Sequence, residues 1–416
     1  MNISTRHSWP GRVLQPLLIV ATIAGTYPLQ AAQVIGPGIT TKMAAGLGIT
    51  QSRGAPATVH NPANLSTARG RELYYEVDVT QFDYMYISNQ DEHEIARISF
   101  LAPPSYVGFA SRRPGGRLSW GGMIIPTGMG TKMKLKGVPI QMGTNVDVFD
   151  TVMVQSGYQI VLGGSYQPGK TFGLGVSLTH SNESLKVEAA QNGNTILRMS
   201  QKGTFSWLLL GARFRLPGNR LRAGLVYRPE TLKKYKGTLE QGGQAASFKP
   251  VGYLPAMIAA GVEFRTGRLA FFAEAHLEQW TGGRTKKKSG FSSETKGTDY
   301  LDTTLMGAGA HYKRSKNHKF TVAASMIGAN LGNGLIGENE DGFDQVEVTG
   351  GGQFGDFDSI GRTVFAGGWH YLRKDNEFRV LLSWLKGNAL VPDESPGAGY
   401  YQLNILVAGI GGVYRF

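Results

Sequence analysis

At 416 residues with no cysteine, the chain offers neither a disulfide framework nor thiolate ligands for a metal. A composition that is 41% hydrophobic and 10% aromatic, with 58 glycines, excludes a disordered chain. After the N-terminus no apolar run reaches the roughly 18 residues of a transmembrane helix. The formal charge of +13 is the kind that accompanies nucleic-acid or anionic-membrane partners. Yet the densest basic run, "GRTKKKSGFSSETKG" at 283–297, lacks the interleaved aromatics of a nucleic-acid surface. It reads as a solvated loop, with contact between Lys286, Lys287 and Lys288 and lipopolysaccharide phosphates as the sharper alternative.

In chain order, residues 1–32 read as an export signal: Arg6 and Arg12 make a basic start, "VLQPLLIVATIAG" is the apolar stretch, and "LQAAQ" offers small residues for cleavage near Ala32. Its removal takes two arginines and no acid, lowering the formal charge from +13 to +11. Residues 33–70 are Gly-rich, weakly periodic and too long for a linker without a purpose. Within them Asn61 is placed to cap a short helical turn that starts at Pro62 and continues through Ala63.

Period-two alternation then predicts fourteen strands, at 71–88, 96–111, 117–128, 150–168, 171–189, 204–216, 221–238, 252–265, 268–280, 301–313, 318–328, 361–373, 376–387 and 402–416. Most are long enough for a tilted strand to cross a bilayer. Short links such as "QPGK", "PGNR" and "RTGR" alternate with long ones, as tight periplasmic turns alternate with extracellular loops in outer-membrane barrels. The expectation is therefore all-β: an antiparallel fourteen-stranded transmembrane barrel over 71–416, in the outer membrane of a Gram-negative cell, with both termini on the periplasmic side. An open bore of that size leaks, so residues 33–70 are expected to plug it.

The faces follow from the alternation. On the fifth strand Phe172, Leu174, Val176 and Leu178 point out; on the ninth Leu269, Phe271, Ala273, Ala275 and Leu277 point out, with Phe272, Glu274, His276 and Glu278 inside. Inward phase puts Phe205, Trp207 and Arg213 on the sixth strand and Arg222, Arg228 and Glu230 on the seventh. That pattern predicts apolar surface beside a carboxylate-binding fork; the plainer alternative is that these charges pair and brace the wall. Pro126, followed by Gly128 and Gly130, is either a strand end running into a loop or a break in the wall. The chain closes on "QLNILVAGIGGVYRF", apolar on both faces with an aromatic last residue.

Several stretches taken together resemble the FadL-type family of outer-membrane fatty acid and hydrocarbon transporters. "HNPANLS" resembles its hatch signature, "GGRLSWGGMIIPTGMG" its third strand, "SGYQIVLGGSYQPGKTFGLGVSLTHSNESLKVE" its fourth-to-fifth hairpin, "RLRAGLVYRPETLKKYKG" its seventh strand, and "LPAMIAAGVEF" its eighth. The resemblance implies a monomeric channel for passive uptake of apolar molecules, a hatch at Asn61, Pro62 and Ala63 that moves, and lateral exit through a kink at Pro126, Gly128 and Gly130. The family's Tyr-Arg falls on Arg228. Its basic pocket residue on the fifth strand has no counterpart in "LTHSNESLKVE", so aromatic and alkane substrates stay open beside fatty acids.

Other chemistry finds little footing. There is no Gly-x-Ser-x-Gly, His-Glu-x-x-His or Gly-x-x-x-x-Gly-Lys-Ser/Thr. "GENEDGFD" fails as a calcium loop because Gly337 stands where the first ligand belongs. No catalytic residue, cofactor or metal is expected. A general diffusion porin and a barrel-type hydrolase remain the alternatives.

Overall fold

The computed structural model describes residues 38–88, 94–102, 105–127, 131–142, 145–241, 243–249, 251–279, 302–328, 361–391 and 399–416. The expected export signal, Lys286 to Lys288, and Gly128 and Gly130 lie outside these residues.

Fourteen antiparallel strands close on themselves, as the alternation predicts. They are β1 (Gly70–Ser88), β2 (Glu94–Ala102 and Ser105–Arg112), β3 (Leu118–Pro126 and Thr131–Met142), β4 (Asn145–Tyr166), β5 (Phe172–Gln191), β6 (Asn194–Arg215) and β7 (Leu221–Arg228 and Thr231–Gln241). Then come β8 (Gln244–Phe248, Val251–Leu254 and Ala256–Thr266), β9 (Leu269–Gln279), β10 (Thr303–Lys313), β11 (His318–Ile327), β12 (Arg362–Arg373), β13 (Asn376–Val391) and β14 (Gly399–Arg415). Each pairs with its neighbours in sequence, and β1 pairs with β14 from Glu72–Arg415 to Ser88–Gly399. The last segment of the chain is the seam of the cylinder, which is why neither of its faces is wet.

The strands around β4 to β7 run longer than the alternation predicts. β4 begins at Asn145 and β6 at Asn194, because the β5–β6 ladder continues to a two-residue turn between Gln191 and Asn194. β3 also resumes after Pro126, over Thr131–Met142, and stays paired with β4. The residues beyond Pro126 are thus a continuing strand and not only a loop.

One correction changes the faces. In β7 the buried positions are even up to Arg228 and odd from Lys233 onward. The interruption at Pro229 and Glu230, opposite Pro255 in β8, shifts the alternation by one, and a one-residue slip moves every later side chain to the other face. Glu230, expected inside, is therefore exposed.

Outside, apolar side chains stand exposed on strands around the ring: Val77 on β1, Leu162 on β4, Leu174 on β5, Leu210 on β6, Phe271 on β9, Val322 on β11 and Ile410 on β14. So large an uncovered apolar surface is not that of a protein in water. Aromatics gather where the strands meet the short links, including Trp120, Tyr166, Phe172, Phe214, Phe271, Tyr312 and Tyr414, as in the girdles of membrane barrels. Among the described residues no helix is long and apolar enough to cross a membrane.

Candidate functional site

The buried centre of the molecule is made by residues 38–69 against the inward faces of the strands. This segment holds helix α1 (Ile39–Met43), helix α2 (Ala57–His60) and a 3-10 turn at Pro62–Thr67. The turn forms as the sequence predicts: Pro62 opens it with a φ already suited to a helix, and the Asn61 side-chain oxygen accepts from the Ala63 N–H at 3.1 Å. The same amide donates to the Ile49 carbonyl at 3.0 Å and to the Ala212 carbonyl of β6 at 3.2 Å. Asn61 therefore ties the turn, the neighbouring loop and the wall together.

Glycines on the wall make room for this contact. A β-carbon at Gly175 on β5 would overlap the Pro62–Ala63 peptide, and one at Gly211 on β6 would overlap the Asn61 side chain. At Gly224 on β7 a β-carbon would lie 2.8 Å from Ile49 Cγ2. Gly175 and Gly211 sit opposite each other in the ladder, so they form one notch across two strands.

Elsewhere inward polar side chains satisfy the segment's backbone. Glu274 on β9 accepts from the N–H groups of Ile49 and Thr50 at 2.9 and 2.8 Å, and from the Thr50 hydroxyl at 3.0 Å. The hydroxyl of Ser177 on β5 donates to the Thr58 carbonyl at 2.6 Å, and that of Ser325 on β11 to the Ala45 carbonyl at 2.7 Å. Gln51 donates to Glu263 on β8 at 3.0 Å and meets His311 on β10 at 2.5 Å. Because these strands lie on different sides of the ring, residues 38–69 occupy its interior.

The firmest anchor is ionic. Lys42, 2% exposed, lies 2.7 Å from Glu76 Oε1 and also pairs with Asp78, both carboxylates being buried on β1. Its ammonium also stands 4.3 Å from the centre of the Tyr106 ring. Burial alone would push the Lys42 ammonium down, but Glu76, Tyr106 and Asp78 outweigh it and hold the group above the ordinary lysine range. Gly38 and Ile39 donate backbone N–H groups to Glu76 and Tyr74 at 2.9 and 2.8 Å.

The expected ligand residues fall into separate groups. Phe205 is buried and stacks on Trp207 with centroids 5.7 Å apart, and Tyr235 meets Phe205 edge-on at 6.0 Å. Lys233 lies 5.0 Å from the Phe205 ring centre, and the Tyr235 hydroxyl donates to Glu183 at 2.9 Å. These are the first inward side chains beyond Leu209, which packs on Ile49 of the inner segment. Arg213 is eight residues further along β6, about 26 Å from Phe205 at the usual strand rise, so the apolar surface and this arginine are not neighbours. Arg213 and Arg222 instead line a cleft of about 10 Å³ with Arg53, Thr50, Ser52, Asn64, Thr67 and Ala223. That is room for about one water and too little for an alkyl chain. Arg228 donates to the Pro255 carbonyl at 3.2 and 3.3 Å and pairs with Glu278 at 2.8 Å, filling the interruption in β7 and β8. Among the described residues no cluster of three His, Asp or Glu is placed to hold a metal.

Pro126 pairs with Tyr158 and Thr131 with Gln155, so β3 carries four residues where β4 carries two. On the other side, the described β2–β3 ladder runs from Arg112–Ser119 only as far as Val107–Ile124.

Solved structures share this architecture. A Pseudomonas aeruginosa FadL homologue superposes with a TM-score of 0.69 at 13% identity, covering 91% of this chain and 98% of the other. The toluene transporter TodX of P. putida gives 0.62 at 14% identity, covering 92% and 99%. The Ralstonia pickettii toluene transporter TbuX gives 0.60 at 16%, also covering 92% and 99%. The chain has the FadL fold. No protein-family model and no curated protein matches its sequence.

Within this FadL fold, two groups of residues escaped sequence reasoning. Lys233 and Tyr235 were hidden by the phase shift at Pro229, for which the "RPE" tripeptide was the available signal. Lys42, Glu76 and Asp78 were legible in part: on β1 Leu73, Tyr75, Val77 and Val79 face out, which leaves two carboxylates facing in and in need of a cation.

Proposed function

We propose that the chain is an outer-membrane channel for passive uptake of hydrophobic molecules, fatty acids or aromatic and aliphatic hydrocarbons. Residues 33–70 act as a hatch that plugs the lumen, and the ligand leaves sideways through the wall at β3. The observation that carries the reading is a closed barrel, apolar outside, whose interior is filled by residues 38–69 with an aromatic group of Phe205, Trp207 and Tyr235 immediately beyond them. A filled lumen has no use in a general diffusion porin, whereas a ligand that partitions poorly through water gains from an apolar landing site. The fold it shares with proteins described as a FadL homologue and as toluene transporters supports the same reading.

In this reading Phe205 and Trp207 receive the apolar part of the ligand, and a carboxylate would meet the Lys233 ammonium beside the Phe205 ring. Arg228 holds the wall at the paired interruption, and Arg213 and Arg222 face the hatch rather than the ligand. The end with long connections faces outward and the end with both termini faces the periplasm. The test is uptake of radiolabelled oleate, toluene and a small sugar by cells with and without the gene. Gene-dependent entry of oleate or toluene without the sugar is expected; gene-dependent entry of the sugar alone would overturn the proposal.

A further inference from the structure

Beyond the apolar belt, the outer face of β5, β6 and β7 changes character. Leu178 and Leu208 are the last exposed aliphatics on β5 and β6, and Leu232 the last on β7. Next come His180 and Ser206, joined at 2.9 Å. Four exposed lysines follow: Lys234, then Lys202 and Lys236, then Lys186. Lys202 and Lys236 are directly opposite partners in the ladder, the arrangement in which like charges destabilise a sheet. The phase shift at Pro229 is what turns Lys234 and Lys236 outward.

Among the described residues no carboxylate stands between these lysines on the outer face. Among the described residues none of the four lysines has an ion pair, and past Leu178, Leu208 and Leu232 the carboxylates described on this face lie further out: Glu188 beside Arg198 at 3.7 Å, Glu240 opposite Arg198, and Asp150 opposite Ala190; Glu230 lies on the other side of Leu232. Between the lysines stand hydrogen-bonding side chains, Asn182 opposite Thr204 and Ser200 bonded to Thr238 at 2.9 Å. At about 3.3 Å per residue and a strand tilt near 40°, the lysines span roughly 5 to 15 Å beyond the belt's edge. That is the depth of headgroups, where basic side chains meet anionic lipid.

We propose that this face of β5–β7 is a binding site for the phosphorylated saccharide of an outer-leaflet glycolipid, lipopolysaccharide, with the four lysines taking its phosphates. The chemistry matches in both parts: ammonium groups as point charges for phosphate, amide and hydroxyl side chains for sugar. The bound phosphates relieve the repulsion between Lys202 and Lys236, so the site is unfavourable when empty and stabilising when filled. The proposal rests on the outer-membrane reading above and on its assignment of the long-loop end to the cell surface.

The test uses the full chain purified in detergent from a lipopolysaccharide-bearing strain. Retained glycolipid is measured, and then the shift in thermal midpoint on adding bisphosphorylated lipid A or the same lipid with its phosphates removed. The variant carries Lys186→Gln, Lys202→Gln, Lys234→Gln and Lys236→Gln. Its control carries Lys170→Gln, Lys313→Gln, Lys316→Gln and Lys374→Gln, four exposed lysines near the short links. The first is expected to retain glycolipid at a level lower by on the order of tenfold or more, given the contribution of each basic residue near an anionic surface, and to lose the phosphate-dependent shift. The control should behave as the parent does. A Lys202→Arg, Lys236→Arg variant should keep the shift. Equal shifts with both lipids, or equal losses in both quadruple variants, overturn the site. Fractionation of the parent separates the two readings: a chain that reaches the outer membrane but shows no phosphate dependence loses only this site, and one absent from that membrane loses both.

Discussion

The side-chain oxygen of Asn61 fills the space that a β-carbon on Gly211 would need, while its amide nitrogen reaches the carbonyl of the next wall residue, Ala212, at 3.2 Å. The inner segment and β6 are therefore fitted at the level of single atoms. Gly211→Val drives a branched side chain into that contact, and overpacking of this kind costs on the order of 1–3 kcal/mol. The barrel ladders do not depend on it, so the protein should still show heat-modifiable gel migration. Its ion conductance in planar bilayers should rise as the turn is displaced. An assembled variant as tight as the parent would mean that the notch does not hold the proposed hatch.

Asn61→Ala tests the other side of the contact. The substitution removes the cap, at about 1 kcal/mol, together with two bonds to the Ile49 and Ala212 carbonyls. Uptake of apolar substrate should change more than the yield of assembled barrel. Parallel loss of both would reduce the turn to a structural element.

At the opposite end of the segment, Lys42→Met leaves Glu76 and Asp78 buried without their cation. Breaking a buried pair from one side costs on the order of 3–5 kcal/mol, so the thermal midpoint in detergent should fall clearly. Adding Glu76→Gln and Asp78→Asn should recover part of the loss, since two uncompensated charges then disappear. No recovery in the triple variant would place the cost in packing rather than charge.

Much of this was open to reading because a barrel wall has only two faces. Phe172, Leu174, Val176 and Leu178 alternate strictly with small or polar partners, so their outward placement follows from period alone. The cap at Asn61 was equally legible, since Asn-Pro carries its own local geometry. Alternation fails where the backbone slips. Pro229 removes a donor and shifts the phase, which sent Glu230 outward and Lys233 inward and produced the outer lysine face. Distance along a strand was the other blind spot: Phe205 and Arg213 share a face, yet eight residues separate them, and sharing a face is not sharing a site.

Arg228 illustrates the consequence. Its guanidinium is held by the Pro255 carbonyl and Glu278, so Arg228→Ala should lower stability by leaving a buried acceptor unpaired, at about 1–3 kcal/mol, and leave oleate affinity unchanged. Lys233→Met should weaken oleate binding and spare toluene, because only the acid carries a charge for the ammonium to meet. Titration of both ligands against the two variants checks this, and a loss of oleate affinity confined to Arg228→Ala would reverse the assignment.

The proposed lateral exit turns on a count of residues. β3 is paired with β4 on both sides of its interruption, at Pro126–Tyr158 and at Thr131–Gln155, so β3 has two residues more than β4 over this stretch. Pro126 also lacks the N–H that a continuous ladder would use. On the β2 side the described pairing of this inner half runs from Arg112–Ser119 to Val107–Ile124, next to Pro126. Replacing Pro126, Gly128 and Gly130 with Val, Thr and Val restores a donor and strand propensity, but the two surplus residues remain. Deleting Gly128 and Met129 together with Pro126→Val removes the surplus, and a deletion of two keeps every later side chain on its own face. This variant should assemble and bind ligand as the parent does, yet take up apolar substrate far more slowly, with the substitution-only variant between the two. Undiminished uptake by a correctly assembled deletion variant would rule out exit through the β2–β3 wall and leave the periplasmic mouth as the route.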